Sequence, residues 1–136
     1  MVRHFSSSCY CTNIRRTANI MSEYYDRKLA PAGVNVAQFA LIRNLDRLGS
    51  ANQSEWAESA GIERTTMVRN ARRLEELGLI RREEGRGKVY TLSPAGEDCL
   101  AAGSRLWESA QAEIESLLGA DLSQAVLKIG ERIQSL

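Results

Sequence analysis

The chain has 136 residues, 43% hydrophobic and 26% charged, with a net charge of +1. That size suits one compact domain, and the balance excludes a disordered chain. No apolar run approaches the ~20 residues of a membrane span, and the opening MVRHFSSSCYC lacks the apolar core of a signal peptide. The expected location is the cytoplasm, without membrane contact. Charge is unevenly spread: residues 62–92 carry eight basic against five acidic groups, and residues 93–136 carry three against seven. A polyanion would therefore be met by the middle of the chain, with the acidic end facing away.

Residues 9–30 read as a helix, with Tyr10, Ile14, Ala18, Met21, Tyr25 and Leu29 at three- to four-residue steps. Ser8 is its expected N-cap, and Pro31 and Gly33 end it. Asn35 with Gln38 forms a capping box for a second helix, whose apolar stripe is Val36, Phe39, Ala40, Ile42 and Leu45 and which Gly49 closes. Asn52 with Glu55 repeats that signature and starts a short third helix through Ser59, with Trp56 and Ala57 inward. A fourth helix runs from about Arg64 to Leu77, burying Met67, Ala71, Leu74 and Leu77, with Gly78 beyond its end.

The period then changes. Leu79–Glu83 and Val89–Leu92 are extended runs joined by a glycine-containing connection, which reads as a hairpin. Ser93-Pro94 starts a long fifth helix to about Leu118, Gly119 breaks it, and Asp121 with Gln124 caps a last helix. The fold class expected is mainly α with a small β-hairpin wing: a winged helix-turn-helix plus a helical dimerisation region. Residues 1–136 form a single domain, with 35–93 as the winged lobe and 1–34 and 94–136 as the helical region.

Two short helices separated by a tight turn at Gly61-Ile62, followed by a hairpin, suit DNA reading, because the first helix braces the second. The second opens with Arg64, Thr65 and Thr66, whose hydroxyls and guanidinium fit phosphate and base-edge contacts. Arg69, Asn70 and Arg73 follow at helical steps, with the chemistry for guanine and adenine edges. Arg86 sits between two glycines at the hairpin tip, suited to a minor groove, with Arg82 and Lys88 where phosphates would lie.

The stretch NQSEWAESAGIERTTMVRNARRLEELGLIRR, with the TLSPAG after the hairpin, resembles the MarR family of bacterial regulators. The EELGLI and LSPAG pieces are the most specific, and the flanking helices match in order and length. The CYCTNIRRTANIMSEYYDRKLAP start is similar to a subgroup whose first helix opens with Cys-x-Cys. The resemblance implies a homodimeric transcriptional regulator, usually a repressor, held together by its first, fifth and last helices. It also implies one recognition helix and one wing per subunit on a pseudo-palindromic operator. The wing departs from the family pattern. Its glycine-rich tip is shorter, Arg86 matches the wing-tip arginine, and Glu84 stands where an aspartate normally braces it. Independently of the family, Trp107, Leu117, Ile129, Ile133 and Leu136 are apolar positions that the winged lobe cannot cover, and a two-fold partner would supply a surface for them.

Two kinds of signal remain open. Cys9 and Cys11 lie in the first turn of a helix, where the N-terminus favours the reactive thiolate. A bond between them is geometrically poor, so pairing with Cys99 or with a partner subunit is the expected oxidation product. Against this, all three cysteines can be read as small buried residues. Metal binding by His4 with Cys9 and Cys11 also stays open, though three loosely spaced ligands are a weak motif, and no metal or cofactor is assigned. The resemblance also implies a small aromatic or anionic effector between the dimer helices and the lobe, where Arg16, Tyr24, Tyr25 and Arg43 are candidates; packing and ion pairing are the plainer role for these four. Two other classes compete: a winged-helix protein-interaction module without DNA binding, and a thiol enzyme. Neither a phosphate loop, an HExxH motif nor a nucleophile elbow occurs, and no base is positioned for Cys9.

Overall fold

The structure is a computed structural model that describes residues 7–83 and 88–136. Helix α1 spans Tyr10–Leu29 and passes through a 3-10 turn, Ala30–Ala32, into α2 at Val36–Leu48. A two-residue strand β1, Ala51–Asn52, leads into α3, Gln53–Ala60, and α4, Arg64–Glu76. Strands β2, Ile80–Arg82, and β3, Val89–Leu92, complete a three-stranded antiparallel sheet of order β1-β3-β2. Helix α5 runs over Pro94–Ile133. The architecture is mostly helical with a small β wing, as the sequence indicates.

Local capping fixes most boundaries. Asn35 accepts the Gln38 N–H at 2.8 Å while its own N–H donates to the Gln38 side chain at 3.0 Å, so the capping box is complete. Asn52 accepts the Glu55 N–H at 2.8 Å. Ser93 accepts the Gly96 N–H at 3.0 Å, and its hydroxyl donates to the Gly78 carbonyl at 2.5 Å, tying the start of α5 to the end of the α4 turn. At α1 the sequence expectation is displaced by one residue. Cys9, not Ser8, occupies the N-cap position, and Ser7 takes up the spare N–H by accepting from Cys9 at 3.1 Å.

One core serves the winged lobe and the ends of the helices that support it. Trp56, Tyr90, Phe39, Leu29, Ile42, Leu45, Met67 and Leu74 are its largest fully buried side chains. The Trp56 indole donates to the Leu41 carbonyl at 3.2 Å, so its burial leaves no unpaired N–H. Helix α5 is anchored to this core at two glycines. A Cβ at Gly96 would lie 2.0 Å from the Leu79 carbonyl oxygen, and one at Gly103 would lie 2.8 Å from the Phe39 ring. Helices α1 and α5 run antiparallel: Cys99 meets Ala32 and Glu113 meets Tyr24 and Lys28.

Gly119 adopts φ 81°, ψ 170°, a conformation that side chains disfavour, and it kinks α5 there. The expected break is thus present, but the helix resumes at the kink instead of after a separate cap at Asp121. Beyond it the chain packs little on itself. Leu122, Val126, Leu127, Ile129 and Ile133 are all exposed, and Leu136 is 99% exposed. Trp107 differs from that expectation. It packs against the core at partial burial, with the Arg43 guanidinium carbon 4.4 Å from its ring centroid, so the chain itself covers part of it.

Candidate nucleic-acid interface

Gly61, at φ 68°, makes the turn between α3 and α4, and the Ile62 N–H donates to the Ala57 carbonyl at 3.1 Å. Helix α4 then lies with Met67, Ala71 and Leu74 fully buried. Since residues advance about 100° per position, its solvent face is fixed: Thr65, Arg69, Arg72, Arg73 and Glu76 are exposed. Thr66 and Asn70 are only partly exposed, and the Asn70 amide donates to the Thr66 carbonyl at 2.8 Å. The presented face is therefore rotated from the one read in the sequence, towards Arg72. Arg72 stands seven residues, two turns, after Thr65, a step that would have placed it there.

Arg64 is exposed at the start of α4 and lines a hollow of about 690 Å³ between this helix and the wing base. Val68, Arg72, Arg82, Lys88 and Tyr90 share that hollow with Glu75 and Glu76. The acidic pair engages several of the cations. Arg72 Nε is 3.5 Å from Glu76, Arg73 Nη1 is 3.4 Å from Glu76, and Arg82 Nε is 2.9 Å from Glu75. These pairs are exposed, so each contributes little to stability and opens readily. Arg64 and Arg69 make no ion pair among the described residues. Arg82 is held well protonated by its hydrogen bond to Glu75. Glu84 and Arg86 lie outside the described residues, as does His4.

Each candidate sensor residue has a different setting. Cys9 and Cys11 are exposed and Cys99 is buried. The Thr12 side chain and backbone N–H favour the Cys9 thiolate and hold its pKa below the ordinary thiol value, as expected at a helix N-terminus. Burial pushes the Cys99 thiol up, and its sulfur donates to the Ala32 carbonyl at 3.2 Å. Ala32 lies past the far end of α1, whose 20 residues extend about 30 Å at 1.5 Å per residue. A disulfide requires Cα atoms roughly 4.4–6.8 Å apart. A bond between Cys9 and Cys99 of one chain, one of the two pairings expected from the sequence, is thereby excluded. No group of three His, Cys, Asp or Glu able to hold a metal occurs among the described residues.

The four effector candidates are not gathered in one cleft. Tyr24 lines a mainly apolar hollow of about 700 Å³ between α1 and α5, with Ile20, Met21, Ile114, Leu117 and Leu118. Its hydroxyl donates to Glu113, which also pairs with Lys28 at 2.6 Å; the Glu113 contact raises the tyrosine pKa. Tyr25 is buried and donates to Gln111. Arg43 lies over Trp107 in a separate hollow along α2, and Arg16 is exposed on α1. No helix among the described residues is long and apolar enough to cross a membrane.

The whole arrangement has close structural relatives. A transcriptional regulator of M. tuberculosis, MosR, superposes with a TM-score of 0.81 at 28% identity, covering 96% of this chain and 98% of that one. The same protein in complex with DNA gives 0.80 at 28% identity, covering 94% and 98%. The transcriptional repressor CouR, bound to p-coumaroyl-CoA, gives 0.85 at 27% identity, covering 93% and 91%. No curated protein matches by sequence. Residues 34–86 of the chain match the sequence model of the MarR family.

Proposed function

We propose that this chain is a MarR-type transcriptional regulator that binds a pseudo-palindromic DNA operator as a homodimer, represses from it, and leaves it on a chemical signal. The observation that carries the reading is the outer face of α4. Thr65, Arg69, Arg72 and Arg73 project from a helix whose other side is locked into the core, which is the geometry of a major-groove reader. Arg64, Arg82 and Lys88 line the hollow beside it, where a backbone phosphate would pass; Thr66 and Asn70 support the helix start from a partly buried position, and Arg86 is assigned to the minor groove. DNA and ligand complexes of MosR and CouR support both halves of the reading. The apolar surface beyond Gly119 supports the dimer.

For the signal, two routes are carried forward. A small aromatic or anionic molecule would enter the apolar hollow beside Tyr24 or the Arg43–Trp107 hollow. Oxidation would act at Cys9 and Cys11, which are exposed. No enzymatic role is proposed.

The test is a titration of the protein into a fluorescent duplex from its own promoter region. Affinity is expected to fall steeply with salt, through counterion release. The Arg69→Ala, Arg72→Ala double variant is expected to lose about 2–6 kcal/mol, at 1–3 kcal/mol for each base-edge contact. Unchanged affinity in the double variant would remove α4 as the reading element.

A further inference from the structure

A chain of side-chain contacts joins the helix-turn-helix to the wing base. Tyr90 of β3 is its centre, flanked across the sheet by Ala51 on one side and Arg82 on the other. The Tyr90 ring lies 6.0 Å from the Trp56 ring, and its hydroxyl accepts from the Gln53 side chain of α3 at 3.2 Å. On the opposite side the Arg82 guanidinium carbon is 5.7 Å from the Tyr90 ring centroid, and its Nε donates to Glu75 of α4 at 2.9 Å. Gln53, Tyr90, Arg82 and Glu75 thus connect α3, β3, β2 and α4 in sequence. Arg82 is oriented by a carboxylate and an aromatic face together, which fixes a planar guanidinium more firmly than either alone.

We infer that Glu75 is a positioning residue for DNA binding: through Arg82 it sets the stance of the wing base against the recognition helix. The inference rests on the DNA-binding reading above, and it makes a prediction opposite in sign to simple electrostatics. A carboxylate beside the DNA backbone repels phosphate, so charge alone says that removing it tightens binding. If Glu75 instead preorganises the wing, its loss leaves that ordering to be done during association, which weakens binding. Glu76 is the internal control. It carries the same charge one residue on, but among the described residues its ion pairs are to Arg72 and Arg73 of its own helix.

The experiment titrates full-length wild type, Glu75→Gln, Glu76→Gln and Arg82→Lys into the promoter duplex across a range of salt, with circular dichroism melts of each. Glu75→Gln is expected to weaken binding about fivefold, the scale of ordering one or two side chains, with an unchanged salt slope. Arg82→Lys keeps the charge but loses the Nε–H, and is expected to weaken binding alike. Glu76→Gln is expected to bind at least as tightly as wild type. Equal or tighter binding by a folded Glu75→Gln overturns the inference, as does equal weakening by both glutamate variants. Should Glu75→Gln fail to fold, Arg82→Lys decides: unchanged affinity overturns the inference. Absence of wild-type binding to any duplex overturns the DNA reading itself.

Discussion

In the winged lobe, Trp56, Tyr90, Phe39, Ile42, Leu45, Met67 and Leu74 are almost wholly removed from solvent. Beyond Gly119 the same kind of residue stands open: Leu127 is 69% exposed, and Leu122, Val126, Ile129 and Ile133 are each about half exposed or more. The lobe completes its own core within one chain. The terminal arm carries the apolar surface of a core without the other half. Stability therefore resides in the lobe, and the homodimer proposed above would draw on the arm.

The sharpest way to break this comparison is to damage the lobe. Trp56→Ala removes a side chain of 0% exposure together with its hydrogen bond to Leu41, and is expected to cost about 3–5 kcal/mol. A chemical-denaturation curve measures it, and a loss below 1 kcal/mol would mean that the lobe is not where stability resides. A smaller effect on folding, but a decisive one on assembly, is expected from Leu122→Glu with Val126→Glu. Sedimentation should show the monomer mass, with the helical circular dichroism signal largely kept. An unchanged mass would take the arm out of the interface, and a collapse of the helical signal would show that lobe and arm do not separate as described.

The smallest change leaves the fold untouched and compares thiols. Cys9 is exposed with its pKa lowered, chiefly by the Thr12 side chain, and Cys99 is buried with its pKa raised. Because the thiolate reacts, alkylation of Cys9 should reach half its maximal rate at a pH below that of an ordinary thiol. Cys99 should lag at every pH until unfolding exposes it. Mass-resolved alkylation across pH checks this, and equal rates at the two sites would contradict the burial assigned to Cys99.

Features governed by neighbours in sequence were legible before any coordinates. The Asn35–Gln38 box, the Asn52 cap and the Ser93-Pro94 start each depend on a span of three or four residues. Strand β1 was not, because two residues carry no period and their pairing depends on Tyr90, some forty positions away. The exposure of Arg72 was legible too, since it stands two turns after Thr65 and away from Met67, Ala71 and Leu74. The bond from the Asn70 amide to the Thr66 carbonyl was not legible, because an amide bonded to the backbone four residues back looks the same in sequence as a free one. The Cys9–Cys99 separation follows from α1 being one unbroken helix with Cys99 docked beyond its far end. The partial cover of Trp107 by Arg43 was not legible either, because the two lie on different helices.

The close approach of α5 at Gly96 and Gly103 bears on how portable the lobe is. A fragment ended at residue 93 would retain the hairpin but lose the Gly96 N–H bond to Ser93 and the seat against the Leu79 carbonyl. It would also uncover the face of Phe39 on which Gly103 rests. The transplantable unit therefore ends a full helical stretch later than its last strand. A graft onto another scaffold must carry both glycines with it, since a larger residue would meet the Leu79 backbone at Gly96 and displace the Phe39 ring or the helix at Gly103.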